Sequence, residues 1–522
     1  MLAGHGQMIE KNASGDKFSP AARWLATFAV LAAFFTSIFT STMVNVAIPN
    51  VMGAFGVGQD QAQFLSSAFL AMNTTGLLGS SWLIAKIGQR RTFFLVQILF
   101  AATGCFCFVA PNLELLILGR VTQGFAAGLL QPLVMLTLFQ VFPIEKRGLA
   151  MGMFSMGVTV ALGLGPSIGG IVIDLFNWRA IFLAPLPGVV LAVLLGMFFL
   201  PAEDQKMAAG RFDSLGFVLI NVTVFCWFML LGNGQRWGWE SSEILILAGV
   251  TVICGFGFAA SQLRRVDTLI DVTIFRNRRF VMVLAISFLF GFGNFATVYA
   301  FPIFGQIIQN FTPTVAGSML LPGSLFAALV LPLTGRLADK SSPIAAMIIG
   351  VVIIAISVWM LAGADPNTIF WYVAFSLLLG RVGSAFVSPA VNTTALSALS
   401  PSQVRRGAGV ANLSLMLGGS TGISVYVLLL ERRIEFHALN LGVTQTAANS
   451  STGEMISALS GPLSLAGLNG NVRDGLALDY LGRVVTGQAN MLGFQDGFVS
   501  LTIIALLPLI PILFLLWSGR RY

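Results

Sequence analysis

Charge is what this sequence has least of: 29 Lys and Arg and 21 Asp and Glu stand among 522 residues, or 10%. Soluble domains carry about a quarter of their residues as charges, so an ordinary soluble protein is excluded. Histidine is scarcer still. His5 lies in the amino-terminal tail and His437 far from it. Neither has a second histidine nearby with which to hold a metal, and His437 reads as a solvated residue. The four cysteines, Cys105, Cys107, Cys226 and Cys254, all fall inside apolar stretches, where they serve as small packing residues rather than a disulfide framework. No nucleophile–base pair, metal-ligand cluster or phosphate-cradling loop is present. The expectation is therefore no enzyme, no metal and no cofactor.

The net charge of +8 would suit nucleic acid if it were gathered in a patch. Instead the basic residues sit in short turns between apolar runs, which is a record of membrane topology. No nucleic-acid partner is expected. The start of the chain is polar, and the first apolar run begins near Trp24, so a cleavable signal peptide is not expected.

What the sequence has in abundance is apolar length. Hydrophobic residues make up 56%, in runs long enough to cross a bilayer. Fourteen spanning helices are predicted, near 24–48, 63–85, 92–110, 114–141, 147–173, 180–200, 214–232, 243–262, 280–303, 314–336, 344–363, 369–395, 406–430 and 497–518. The fold class is an all-α polytopic membrane protein. Lys and Arg crowd the turns that are inner if the amino terminus is inside, which predicts both termini in the cytoplasm.

An internal repeat divides the chain. LILGRVTQGF at 116–125 matches LLLGRVGSAF at 377–386, EKRGLAMG at 145–152 resembles VRRGAGVA at 404–411, and WLIAKIG at 82–88 resembles RLADKSS at 336–342. The predicted organisation is a tail over 1–23, a six-helix half over 24–200, two extra helices within 201–262, and a second half over 263–518. The link at 264–280 is amphipathic and expected along the membrane surface, and 431–496 is expected to be the one long outer loop.

The stretch 118–170 carries the densest signals. Gly157, Ala161, Gly165 and Gly169 recur four apart, with Pro166 and Gly170 among them. Small residues at that spacing let helix backbones approach closely, and this row is the predicted hinge and seal. Its GLGPSIGG segment is not a dinucleotide fingerprint, because no strand precedes it. Arg120 is a lone charge in an apolar helix, and Arg381 matches it in the repeat. Placing Arg in mid-membrane costs roughly 2.5–3.5 kcal/mol, so Arg120 is expected to face the substrate path, with a structural role equally open for Arg381. Thr40, Asn45, Gln123 and Asn294 are further candidates for that path, while most polar residues inside the helices are expected to bond across them structurally.

These residues resemble the major facilitator superfamily, in particular its fourteen-helix drug:proton antiporter branch of EmrB/QacA type. TSTMVNVAIP at 40–49 is similar to that branch's first-helix element, LGRVTQGFAAG at 118–128 to its fourth-helix element, and GLGPSIGG at 163–170 to its antiporter element. Lys86, Gly88, Arg90 and Arg91, with Asp339 in the second half, match the inner-turn gating pattern, though Ser81 and Ala85 depart from it. Thr40 stands where many relatives carry a membrane-embedded Asp credited with cation recognition or proton coupling. The resemblance implies a major facilitator fold of two six-helix halves plus two central helices. It implies efflux of small amphipathic compounds by proton antiport with alternating access. It further implies a bacterial inner membrane, an EmrA-like periplasmic adaptor and an outer-membrane channel. Glu114, Asp174 and Asp339 are the nearest candidate proton carriers. The missing Asp beside the two arginines favours neutral or acidic substrates. Two other readings stay open, an exporter of one anionic metabolite and a non-transporting sensor or scaffold.

Overall fold

The computed structural model describes residues 20–142, 147–200, 212–264, 269–270, 272–340, 342–399, 403–446, 448–465 and 470–519. In lipid every backbone N–H and C=O must be satisfied within its own segment, and the chain answers with helix after helix. The first half holds α1 (Pro20–Phe55), α2 (Gln59–Ala62), α3 (Phe64–Ile87), α4 (Gln89–Val109), α5 (Leu113–Val141), α6 (Arg147–Leu175) and α7 (Leu186–Phe199). Then come α8 (Ser214–Trp237) and α9 (Ser242–Arg264). The second half holds α10 (Arg278–Ile307), α11 (Pro313–Ser318), α12 (Leu320–Lys340), α13 (Pro343–Trp359), α14 (Phe370–Ser397), α15 (Val404–Thr444), α16 (Ser450–Leu465), α17 (Gly470–Leu506) and α18 (Leu509–Gly519).

Helix ends are set by local chemistry. Asn112, Asp213, Asn277 and Thr312 each cap the helix that follows by accepting from a backbone N–H of its first turn, which satisfies donors the helix itself cannot. Gly88 stops α3 at φ +89 and Gly238 stops α8 at φ +87, a conformation that L side chains rarely adopt. Thirteen spans of the described chain are long and apolar enough to cross a bilayer, and α13 adds a shorter apolar helix of 17 residues. This is a multi-pass membrane protein, with apolar side chains such as Ile253, Phe256 and Leu329 turned outward where lipid would lie.

The two halves repeat one packing plan. In the first, α1 packs on α6, α3 on α5 and α4 on α5; in the second, α10 packs on α15, α12 on α14 and α13 on α14. The close approaches fall at glycines. A side chain at Gly124 or Gly128 would strike the backbone of Phe69 or Asn73 in α3, and one at Gly418 or Gly422 the backbone of Phe288 or Phe292 in α10. The extra pair, α8 and α9, packs together, and α8 rests on α3 and α15.

One expectation is corrected. The segment 431–496, expected to be the long outer loop, is not a loop: α15 runs on to Thr444, α16 follows, and α17 begins at Gly470. Ala477, Leu481 and Ala489 are buried along α17, and a side chain at Gly493 would strike Ile434 of α15, so an apolar seam joins the helix pair. His437 is likewise no solvated residue. It lies 2.6 Å from Asp496, which also accepts from Arg433 at 2.7 Å. In the link before α10, Ile270 and Ile274 are buried, with Phe275 and Arg276 turned out.

Candidate functional site

The halves meet along two seams that the repeat relates to each other: α6 packs on α11 and α12, and α15 packs on α3. In the first seam, side chains at Gly163, Gly170 and Gly317 would strike Ser324, the Pro313–Thr314 backbone and the Pro166 carbonyl respectively. Ser167 Oγ donates to the Gly317 carbonyl at 3.2 Å. In the second, Ser420 Oγ donates to the Ser67 carbonyl at 2.5 Å. Asn412 Nδ2 donates to Gln131 Oε1 at 2.7 Å, linking α15 to α5, and Gln306 Nε2 donates to the Val46 carbonyl at 2.9 Å, linking α10 to α1.

At one end of each seam, a carboxylate clasps the opposite half. Asp174, closing α6, accepts from the Thr314 backbone N–H at 3.0 Å. Glu431 on α15 accepts from the Asp60 backbone N–H at 2.7 Å. Glu431 is absent from the sequence-level candidates, because it ends the apolar run SVYVLLLE and there reads as the first residue of a loop. The signal was the helical pattern continuing past it.

The predicted hinge-and-seal row splits between two faces. Gly157, Gly165 and Gly169 lie against Phe35, Thr42 and Met43 of α1, inside the first half. Pro166 and Gly170 lie against α11 across the seam. A helix presents residues four apart on one face and their neighbours on another, and both faces of α6 are crowded.

The two arginines turn into their own halves in this conformation. Arg120 is fully buried; its Nε donates to the Leu65 carbonyl at 2.9 Å, Nη1 donates to Gln123 Oε1 at 2.8 Å, and its guanidinium lies 4.2 Å from the Phe69 ring centroid. Hydrogen bonds and a ring face replace water around the charge. Nη2 of Arg120 and Nε2 of Gln123 have no hydrogen-bond partner among the described residues. Arg381 lines a cavity of about 20 Å³ with Asn294, Thr297, Ser357 and Ser384, all within the second half. Asn294 accepts from Ser384 Oγ at 3.3 Å. Thr40 is buried and donates to the Thr36 carbonyl at 2.8 Å, while Asn45 accepts from Ser66 Oγ at 2.6 Å. Thus Arg120 and Gln123 come together, as do Arg381 and Asn294, but the two sets belong to different halves.

At the turn between α3 and α4, Lys86 lies 4.5 Å from the Trp82 ring centroid, and Arg90 donates to the Met197 carbonyl at 2.5 Å, tying α4 to α7. Gly88 supplies the turn. Arg91 lies beside it on α4. The side chain of Asp339 lies outside the described residues. Of the acids weighed as proton carriers, Glu114 is exposed and Asp174 is engaged with Thr314.

Comparison with known proteins agrees with this architecture. The family model described as Major Facilitator Superfamily matches residues 30–423. The chain is 30% identical over 437 residues to the multidrug export protein EmrB of Haemophilus influenzae, covering 82% of this chain and 85% of that one. It is 26% identical over 486 residues to the fatty acid resistance protein FarB of Neisseria gonorrhoeae, covering 92% and 93%. Among solved structures it is similar in fold to a bacterial homolog of the human lysosomal transporter Spinster. That match has a TM-score of 0.64 at 14% identity and covers 95% of this chain and 98% of that one.

Proposed function

The chain belongs to the Major Facilitator Superfamily, as a transporter rather than an enzyme, and from that premise we propose that it exports amphipathic drugs or toxic compounds in exchange for protons. The cycle is alternating access, in which the two halves part on one side of the membrane while meeting on the other. One observation carries the reading: two repeat-related seams join the halves, the α6 seam by glycine-tight contacts and a hydrogen bond, the α15 seam by a few polar bonds. Such an interface can separate and re-form, because few buried groups lose partners when it opens. The EmrB and FarB relatives support the substrate class by their names.

In this reading residues 24–200 and 263–518 are the moving halves and 201–262 the extra helices. Gly170 and Pro166 form part of the seal, and Gly157, Gly165 and Gly169 stiffen α6 on α1. Lys86, Gly88, Arg90, Arg91 and Asp339 gate the inner turns. Both termini lie in the cytoplasm of a bacterium with an inner membrane, and the extension formed by α15, α16 and α17 reaches into the periplasm. Exposed apolar residues there, including Leu439, Val443, Leu476 and Tyr480, offer a surface for an EmrA-like adaptor that leads to an outer-membrane channel. The test is a susceptibility and accumulation panel of cationic, neutral and acidic amphiphiles in a pump-deficient host. Lower accumulation of at least one class, reversed by an uncoupler, is the expected result. Unchanged accumulation of every compound would reject export.

A further inference from the structure

Glu431 stands where the outer ends of both halves converge. It is part-buried, and its Oε1 accepts from the Asp60 N–H across the seam at 2.7 Å. Near it is Tyr299 of α10, which in turn lies near Tyr426 of α15, and both tyrosines are fully buried. Their hydroxyls have no hydrogen-bond partner among the described residues, and neither do Gln59 Nε2 and Gln63 Oε1. Gln59 lies beside the Tyr299 hydroxyl. The acids that act on Glu431 are Asp60, across the seam, and Glu435, one turn along α15. The two neighbouring arginines are engaged elsewhere: Arg432 donates to Gln235 of α8, and Arg433 to Asp496 of α17.

This surrounding distinguishes the two forms of the carboxyl group. The ionised form loses water, meets the charge of Asp60 and has no described cation as partner, and all three disfavour it. The single N–H bond favours the anion, but a neutral carboxyl also offers an oxygen to that donor. The closed seam therefore holds the neutral form more firmly than an open, hydrated one does. By linkage, a state that binds a proton more tightly is the state that acid stabilises. Asp174, the matching clasp, is exposed whereas Glu431 is part-buried, so the two clasps differ in their access to water.

We propose that Glu431 is the proton-binding residue of the outer gate: neutral, it stays in the seam against Asp60 and holds that side closed; ionised, it leaves the seam and that side opens. The proton passes between a Glu431 carboxyl oxygen and the outer solution, and no other bond is made or broken. The proposal rests on the alternating-access reading above.

The test uses the full chain in lipid nanodiscs, with Cys105, Cys107, Cys226 and Cys254 replaced by alanine. Spin labels are attached at Ala54→Cys and Asn367→Cys, exposed positions at the outer ends of the two halves. In otherwise unaltered protein the distance between labels should lengthen as pH rises, with the open-to-closed ratio changing by about tenfold or more. Glu431→Gln should remain closed and lose the pH response. Glu431→Asp should retain a response with a displaced midpoint, which separates proton binding from loss of fold. If Glu431→Gln titrates like the parent protein, the proposal is overturned. Two distances whose ratio ignores pH would also overturn it while leaving alternating access intact. A single distance under every condition, with added ethidium or oleate as well, would count against both.

Discussion

Asp174 Oδ2 accepts a hydrogen bond from the Thr314 backbone N–H at 3.0 Å, fastening the end of α6 to the start of α11. The repeat that sets residue 82 against residue 336 also sets Asp60 against Thr314. The bond from Asp60 to Glu431 is thus the same clasp built by the other half. If this end must part during transport, a covalent link here stops the cycle. Paired Asp174→Cys and Thr314→Cys substitutions should lose efflux under oxidising conditions and regain it with a reductant. Efflux that persists once cross-linking is shown on a gel would mean that α6 and α11 never separate.

The two faces of α6 make a second prediction. A Gly170→Leu side chain would meet the Pro313–Thr314 backbone across the seam, whereas Gly165→Leu would meet Thr42 inside one half. Gly170→Leu should reduce efflux at least tenfold with little change in thermal unfolding. Gly165→Leu should lower stability by about 1–3 kcal/mol, as overpacking does. Efflux and melting of the two variants, measured side by side, check the assignment; the reverse pattern would refute it.

Arg120 holds the Leu65 carbonyl and Gln123, so its first duty is to fix α5 on α3. Arg120→Gln should cost about 1.5–3 kcal/mol, the range for a bond to a charged group, with export of acidic and cationic compounds reduced alike. Selective loss of acidic substrates, with unchanged melting, would restore the cavity-facing role expected from sequence.

These outcomes show where the sequence was legible. Long apolar runs and the repeat around Arg120 and Arg381 sufficed for the all-helical membrane fold and the family, because bilayer thickness and backbone hydrogen bonding leave few alternatives. The direction of a buried side chain is a different matter. Arg120 turns toward Leu65 because α3 approaches at Gly124 and Gly128, and no pattern in α5 alone states which neighbour comes that close. The extension at 431–496 was misread because polar, charged and small residues are mixed along it with the apolar ones. Its buried positions, Ala477, Leu481 and Ala489, nevertheless keep helical spacing. Glu431 was lost with it.

That extension supports a fourth prediction. Removing α16 and joining α15 to α17 should abolish efflux in cells while sparing transport by the purified protein in liposomes, if an adaptor docks there. Equal loss in both assays would point to folding instead. Asp496→Asn, which releases Arg433 and His437, should cost only up to about 1 kcal/mol, since the pair is partly exposed.

The central claim is that this chain moves amphipathic compounds uphill at the expense of a proton gradient. The direct measurement is transport by the purified protein in liposomes with an imposed pH difference, using ethidium, a neutral dye and oleate in turn. At least one should accumulate against its own gradient only while the pH difference lasts, and collapse when nigericin dissipates it. Movement of all three no faster than through protein-free liposomes, or accumulation indifferent to the pH difference, would contradict the account.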